Sequence, residues 1–331
     1  MLKQEMIAMN LLKLINNHLR KLPSALSGLA LAIASLGLCW EHVANSQGLI
    51  QFLSASLAAC IVIPLFFKFL LNPLFLKQDL QHPIAGSVFP TLTMATMTIA
   101  NNIGLYHLQT GIIISWAAIS LQVIFSAYFV FYRVKNFKFS QILPSWFIPP
   151  IGFVMIILIH PAPLPASLSD LIFWFGLFSY IVLLPIILFR LIYSAPLNEN
   201  EKPITVILAT PASLLLLGYL AIETQPNILL VYSLLVTALL MTFYAYFYLI
   251  TLIRLPFTLT YSAFTFPLVV GAITLFRVRE FFIKEGFNES LIDTINRLAY
   301  LELIIATLIV FYVSVRYSQY LCAIYKTPHN T

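Results

Sequence analysis

Five stretches of this chain set serines and threonines beside a proline or a glycine inside long apolar runs. They are Ser24 and Ser27 with Gly28; Ser87, Thr91 and Thr93 with Pro90; and Ser145 with Pro149 and Pro150. The last two are Thr205, Thr210 and Ser213 with Pro211, and Thr258, Thr260, Ser262 and Thr265 with Pro267. A proline inside a helix removes one backbone donor and frees a carbonyl, and at membrane depth irregular backbone is tolerated where it is buried in protein or lines a cavity. Hydroxyls and released backbone groups supply hydrogen-bond donors without fixed negative charge. Such a lining suits an anion better than a cation, and passive movement better than coupled transport.

Other chemistries lack their residues. The six histidines, His18, His42, His82, His107, His160 and His329, fall at different loop ends, with no HxxxH or HExxH spacing for a metal. No Gly-rich phosphate loop and no paired acidic motif for magnesium occurs, so neither an enzyme nor a cofactor is expected. Cys39, Cys60 and Cys322 form no CxxC pair. No basic-aromatic patch suggests nucleic acid. Glu302 is the one carboxylate clearly within an apolar run, and pairing at a helix interface is its expected role.

The elements that must position these groups are membrane helices. The 331 residues are 60% hydrophobic and 9% charged, with a mean hydropathy of +0.93, where soluble domains carry about a quarter charged residues. At about 20 apolar residues per crossing, ten spans are expected, near 23–44, 47–71, 84–106, 109–132, 144–160, 168–192, 203–222, 226–250, 256–276 and 295–320. With both termini on one side, every Lys and Arg except Arg277, Arg279, Lys284 and Arg297 falls on that side. Because cytoplasmic loops carry the positive excess, both termini are expected in the cytoplasm. This yields a cytoplasmic tail over 1–22, one membrane domain over 23–322 and a second short tail over 323–331.

Two terminal features accompany the spans. Residues 2–20 place Leu2, Met6, Met9, Leu12, Ile15 and Leu19 at helical spacing, the pattern of a surface-lying amphipathic helix. Tyr312, Tyr317, Tyr320 and Tyr325 with Arg316 and Lys326 read as an interfacial anchor on the last helix.

The prolines expose an internal repeat. Pro90, Pro150, Pro211 and Pro267 follow one another at 60, 61 and 56 residues, each a few residues into an odd span. The first span has Gly28 near the equivalent place. The pattern reads as five helical hairpins whose odd helices, broken at similar depth, form an inner ring around a pore, with the even helices outside.

At these breaks the chain resembles the tellurite-resistance/dicarboxylate transporter family, which includes bacterial TehA, yeast malate permease and the plant guard-cell slow anion channels. The likeness is carried by PSALSGLALAIASLGLCWE (23–41), QHPIAGSVFPTLTM (81–94), LPSWFIPPIGFVMI (143–156), ATPASLLLLGYLAI (209–222) and YSAFTFPLVVGA (261–272). The resemblance implies a homotrimer in a plasma membrane, the inner membrane in bacteria, with a pore in each protomer. It also implies a phenylalanine plug, which the AFTFP stretch assigns to Phe266, with Phe264 turned outward and Phe89, Phe147, Ser262 and Thr265 as candidate pore neighbours. The implied activity is a channel or channel-like permease for small anions; the alternative is a secondary transporter or efflux protein for malate-like dicarboxylates, tellurite or sulfite.

Overall fold

A computed structural model describes residues 13–326. Among them are no strands, and nine helical segments are long and apolar enough to cross a membrane. In chain order the helices are α1 (Leu26–Ala44), α2 (Leu49–Leu71), α3 (Pro73–Gln81), α4 (Pro83–Val88), α5 (Pro90–Tyr106) and α6 (Leu108–Lys135). Then follow α7 (Ile148–Ile151), α8 (Val154–Ile159), α9 (Ala166–Tyr193), α10 (Thr210–Ile222), α11 (Ile228–Leu252), α12 (Thr265–Lys284) and α13 (Glu289–Lys326). The expected amphipathic helix lies partly outside the described residues; its portion over 13–20 is helical.

The expected fifth span, 144–160, is not one helix. It is a 3-10 turn over Pro144–Phe147, then α7, a turn at Gly152 and Phe153, and α8. Two adjacent prolines remove two successive backbone donors and bar the usual ladder. Each piece is therefore too short to count as a spanning helix, which leaves nine where ten were expected.

The other prolines also act differently from simple kinks. Pro90 is the first residue of α5, Pro211 stands at the second position of α10, and Pro267 is the third residue of α12. α10 and α12 each follow a 3-10 stretch, Lys202–Ala209 and Leu259–Phe264. The first turn of an α-helix has no internal acceptors for its N–H groups, so a proline there forfeits little. Pro64 in α2 and Pro185 in α9 are the prolines inside long helices.

Burial separates two sets of segments. In the most apolar window of the first, third, seventh and ninth expected spans, 61–94% of residues are buried; in the five even ones, 28–39%. α1 packs on α2, α5 on α6, α9 on α7 and α8, α11 on the 3-10 stretch and α10, and α12 on α13. The buried segments also touch one another in sequence. α1 meets α5, α5 meets α7 and α8, α8 meets α10, α10 meets α12, and α12 returns to α1. The outward faces, with Leu70, Phe243 and Phe311 exposed, are apolar, as a lipid-facing surface requires.

Candidate functional site: two cavities meeting at Phe266

Among the described residues, the starts of the buried segments line one cavity and their ends line another. The first, about 420 Å³, lies at their starts, with Pro23, Ser24 and Gly28 from the first segment and Val88, Thr91 and Met94 from the third. Phe147, Ile151 and Gly152 come from the fifth, Ile207, Thr210 and Leu214 from the seventh, and Leu259, Ser262, Phe266 and Pro267 from the ninth. The second, about 380 Å³, lies at their ends, with Ser35, Cys39 and His42, Met155 to Ile159 without Ile156, Leu217 and Ala221, and Phe266, Val270, Ile273 and Phe276 on its wall. Among the described residues, Phe266 is the one residue common to both walls. It is buried and sits in the first turn of α12, where the 3-10 turn before it changes the direction in which side chains leave the backbone.

The start of the ninth segment is pinned from two sides. Tyr261 donates its hydroxyl to the carbonyl of Leu255 at 2.6 Å, and Tyr317 from α13 donates to the carbonyl of Leu259. Tyr317 is buried against Phe257, so it is an internal tie and not part of an interfacial anchor: a tyrosine whose hydroxyl reaches a buried carbonyl gains more inside than at the surface. Thr265 donates to Ser262 O at 2.6 Å. These bonds set the position from which Phe266 projects.

Of the other residues singled out by sequence, Gly28, Pro211, Pro267, Phe147 and Ser262 stand on the first cavity wall. Pro90, Pro149, Pro150, Phe89 and Thr265 do not. Phe89 points into the side packing, edge-on between Phe69 and Phe125 at 4.9 Å from each. Thr265 is fully buried behind the wall. Phe264 is buried against Tyr261 at 4.8 Å and lines neither cavity.

The hydroxyls divide similarly. Ser24, Thr91, Thr210, Thr260 and Ser262 reach the first cavity, while others stitch segments together. Ser87 donates to Ser145 at 2.7 Å, Ser27 and Thr91 share a hydrogen bond of 2.7 Å, and Thr274 donates to Ser213 O at 3.1 Å. Serines and threonines in membrane helices commonly spend their protons this way.

Charge enters where the sequence reading assigned only loops and span ends. Lys68 and Asp79 line the first cavity; the buried Lys68 ammonium lies 3.8 Å from Asp79 and donates to Leu22 O at 2.8 Å. The signal was present, a lysine inside the run IVIPLFFKFLL. At the second cavity, Glu280 is held between His42 at 3.0 Å and Arg277 at 2.7 Å. Glu302, expected to be paired, has no ion-pair partner among the described residues, and its Oε2 makes no hydrogen bond there. It lies instead in the notch of Gly271, where no side chain competes for space. No cluster of three or more His, Cys, Asp or Glu that could hold a metal occurs among the described residues.

Among the described residues, nine apolar helical segments long enough to cross a membrane, with two cavities between the buried ones, define a multi-pass membrane protein, and the comparison with known families specifies which. A model of the voltage-dependent anion channel family matches residues 21–317, and the chain belongs to that family. The match bears out the resemblance carried by the proline-centred motifs. Two uncharacterized transporters of Methanocaldococcus jannaschii are similar to it. One is 26% identical over 220 residues, covering 57% of this chain and 62% of that protein. The other is 27% identical over 246 residues, covering 63% and 70%. The chain thus spans less than two thirds of the length of the first.

Proposed function

We propose that the protein is a passive anion channel or channel-like permease whose pore is closed by Phe266. The observation that carries this reading is that Phe266, alone among the described residues, belongs to both cavity walls. A large apolar ring between two vestibules blocks ions sterically and by expelling water. In this reading the ten expected segments form five hairpins in one membrane domain over 23–322, with the odd segments as an inner ring around the pore. The contacts that close from α12 back onto α1 support that arrangement. The protein assembles as a homotrimer in the plasma membrane, the inner membrane in bacteria, with both termini cytoplasmic and small inorganic or organic anions as its cargo. The test is Phe266→Ala in oocytes or planar bilayers, with chloride, nitrate and malate as carriers: conductance rises severalfold. Unchanged current at normal surface expression sinks the reading.

One observation favours a second reading, a secondary transporter or efflux protein for C4-dicarboxylates, tellurite or sulfite. Coupled carriers use ionisable groups within the membrane, and Glu302 is buried in a spanning helix without an ion-pair partner among the described residues. Reversal potentials in an anion gradient, with and without a pH gradient, separate the two. A shift that follows the anion alone supports the channel, and one that follows pH supports the carrier.

A further inference from the structure

The helix over 13–20 is amphipathic, and it meets the protein through its polar side. Lys13, Asn16, Asn17 and Arg20 run along that side, and Leu14, Ile15 and Leu19 along the other. Arg20 Nε donates to Asn72 Oδ1 at 2.7 Å, and Asn72 Nδ2 donates to Asn16 Oδ1 at 2.6 Å. Asn72 is buried at the junction of α2 and α3, and the Arg20 guanidinium lies over the Phe75 ring. One edge of the helix is tied to the end of α13. There His18 stacks on Tyr325 with ring centroids 5.2 Å apart, and the Tyr325 hydroxyl donates to His18 O at 2.9 Å.

This seat leaves Leu14 and Ile15 54% and 44% exposed. Apolar surface turned away from the protein is unfavourable in water and is covered when acyl chains lie against it. The helix sits where apolar spans end, at Leu71 of α2 and Lys326 of α13, and Leu71 and Leu74 on either side of Asn72 are exposed as well. An amphipathic helix at that level lies in the headgroup region with its apolar side toward the chains.

Charge selects the headgroup. Lys13, Arg20, Lys77 and Lys326 are exposed, and none has an ion pair among the described residues. Asp79, the one carboxylate of α3, is engaged by Lys68. Arg20 spends only its Nε on Asn72, which leaves both terminal nitrogens without a hydrogen bond among the described residues. That fork matches the oxygens of a phosphate. Clustered bases beside a bilayer attract anionic lipids over zwitterionic ones.

We infer that the helix over 13–20, with the adjoining ends of α2, α3 and α13, is a docking surface for anionic phospholipids. Their phosphates meet Lys13, Arg20, Lys77 and Lys326 while their chains cover Leu14 and Ile15. None of these six residues lines either cavity, so the inference is independent of what the protein carries.

Two measurements on the full-length protein test it. In the first, phosphatidylglycerol or phosphatidylcholine is titrated into detergent-solubilised protein at low salt while the melting temperature is followed, since a lipid bound only to the folded state raises it. Phosphatidylglycerol is expected to raise the melting temperature well above phosphatidylcholine. Lys13→Gln, Arg20→Gln and Lys77→Gln each shift the half-effective phosphatidylglycerol concentration up about fivefold, the worth of one base near an anionic surface. Near 1 M salt, where charges act over only about 3 Å, the two lipids converge. Lys13 and Lys77 make no hydrogen bond or ion pair among the described residues, so their variants leave the seat of the helix intact. Equal responses to the two lipids, or lysine variants that titrate as the parent does, overturn the headgroup site. In the second, a nitroxide is attached at Ile15→Cys or Asn17→Cys in a Cys60→Ser, Cys322→Ser background, which leaves only the buried Cys39. In nanodiscs of mixed phosphatidylcholine and phosphatidylglycerol, the label at 15 is expected to be relaxed more by oxygen, which concentrates among acyl chains, than by a water-soluble nickel chelate, and the label at 17 the reverse. A label at 15 that favours nickel shows water there, and one shielded from both reagents shows a protein partner; either result overturns the lipid surface.

Discussion

Gly28 of α1 faces Ser262 of the ninth segment so closely that a β-carbon on Gly28 would stand 3.4 Å from both Cβ and Oγ of Ser262. Both residues line the first cavity, and Ser262 precedes Phe266 by one turn. A methyl group at that distance is in ordinary contact. Gly28→Ala is therefore expected to leave expression and current unchanged. Gly28→Leu fills the cavity mouth and presses on the turn that carries the plug. In the Phe266→Ala background it is expected to cut single-channel conductance severalfold, measured in planar bilayers; an unaltered conductance argues that the first cavity is not on the path.

The two phenylalanines of AFTFP should separate cleanly. Phe264 is fully buried against Tyr261 and reaches neither cavity. Truncating it removes packing and leaves a void, at roughly 3–5 kcal/mol. Phe264→Ala is expected to lower thermal stability in detergent by several degrees without raising current, the reverse of Phe266→Ala. Differential scanning fluorimetry beside voltage-clamp recording reads both effects from the same preparations.

Asp79 shares the first cavity wall with the buried ammonium of Lys68, 3.8 Å away. Removing the carboxylate charge leaves that ammonium unbalanced at the wall. Asp79→Asn is expected to raise anion flux severalfold at 10 mM salt, where charges act over about 30 Å, and to converge on the parent near 1 M, where the range shrinks to about 3 Å. Flux that is raised equally at both salt concentrations points to a conformational cause and rejects the electrostatic one.

The hairpin of α5 and α6 depends on backbone approaching backbone. A β-carbon on Gly111 would lie 2.6 Å from Gly104 Cα and 2.7 Å from Ala100 O, neither of which can swing aside. Small residues at such crossings let membrane helices pack closely. Gly111→Val is expected to force the helices apart and cost roughly 1–3 kcal/mol or more, seen as a lower melting temperature and reduced yield of folded protein. A melting temperature equal to the parent's contradicts this packing.

How much of this could be read in advance differs from residue to residue. The break at Pro267 and the plug candidate Phe266 were visible because proline recurs at nearly constant spacing and the motif around it resembles a known family. Phe147 and Ser262 came with them, and the structure puts both on the cavity wall. Phe89 and Thr265 carry the same kind of motif context, yet one is packed sideways between Phe69 and Phe125 and the other spends its hydroxyl on Ser262 O. A shift of one residue turns a helical side chain by about 100°, and a 3-10 turn before the helix alters that phase again. Facing is thus lost unless the local helix type is known.

The sequence by itself determined that this is a multi-pass helical membrane protein and which family it resembles. Hydropathy, proline spacing and local motifs are properties of contiguous residues, and they survive without coordinates. Only the tertiary structure decided that 144–160 is a chain of short turns, that Lys68 and Asp79 reach a cavity, and that Glu302 has no ion-pair partner among the described residues. Each of those depends on what lies opposite a side chain, often more than a hundred residues away, and apolar spans of similar composition carry no record of which neighbour they meet. Phe266 belongs to both accounts: its motif marked it, and the meeting of two cavities at one ring gave it a position.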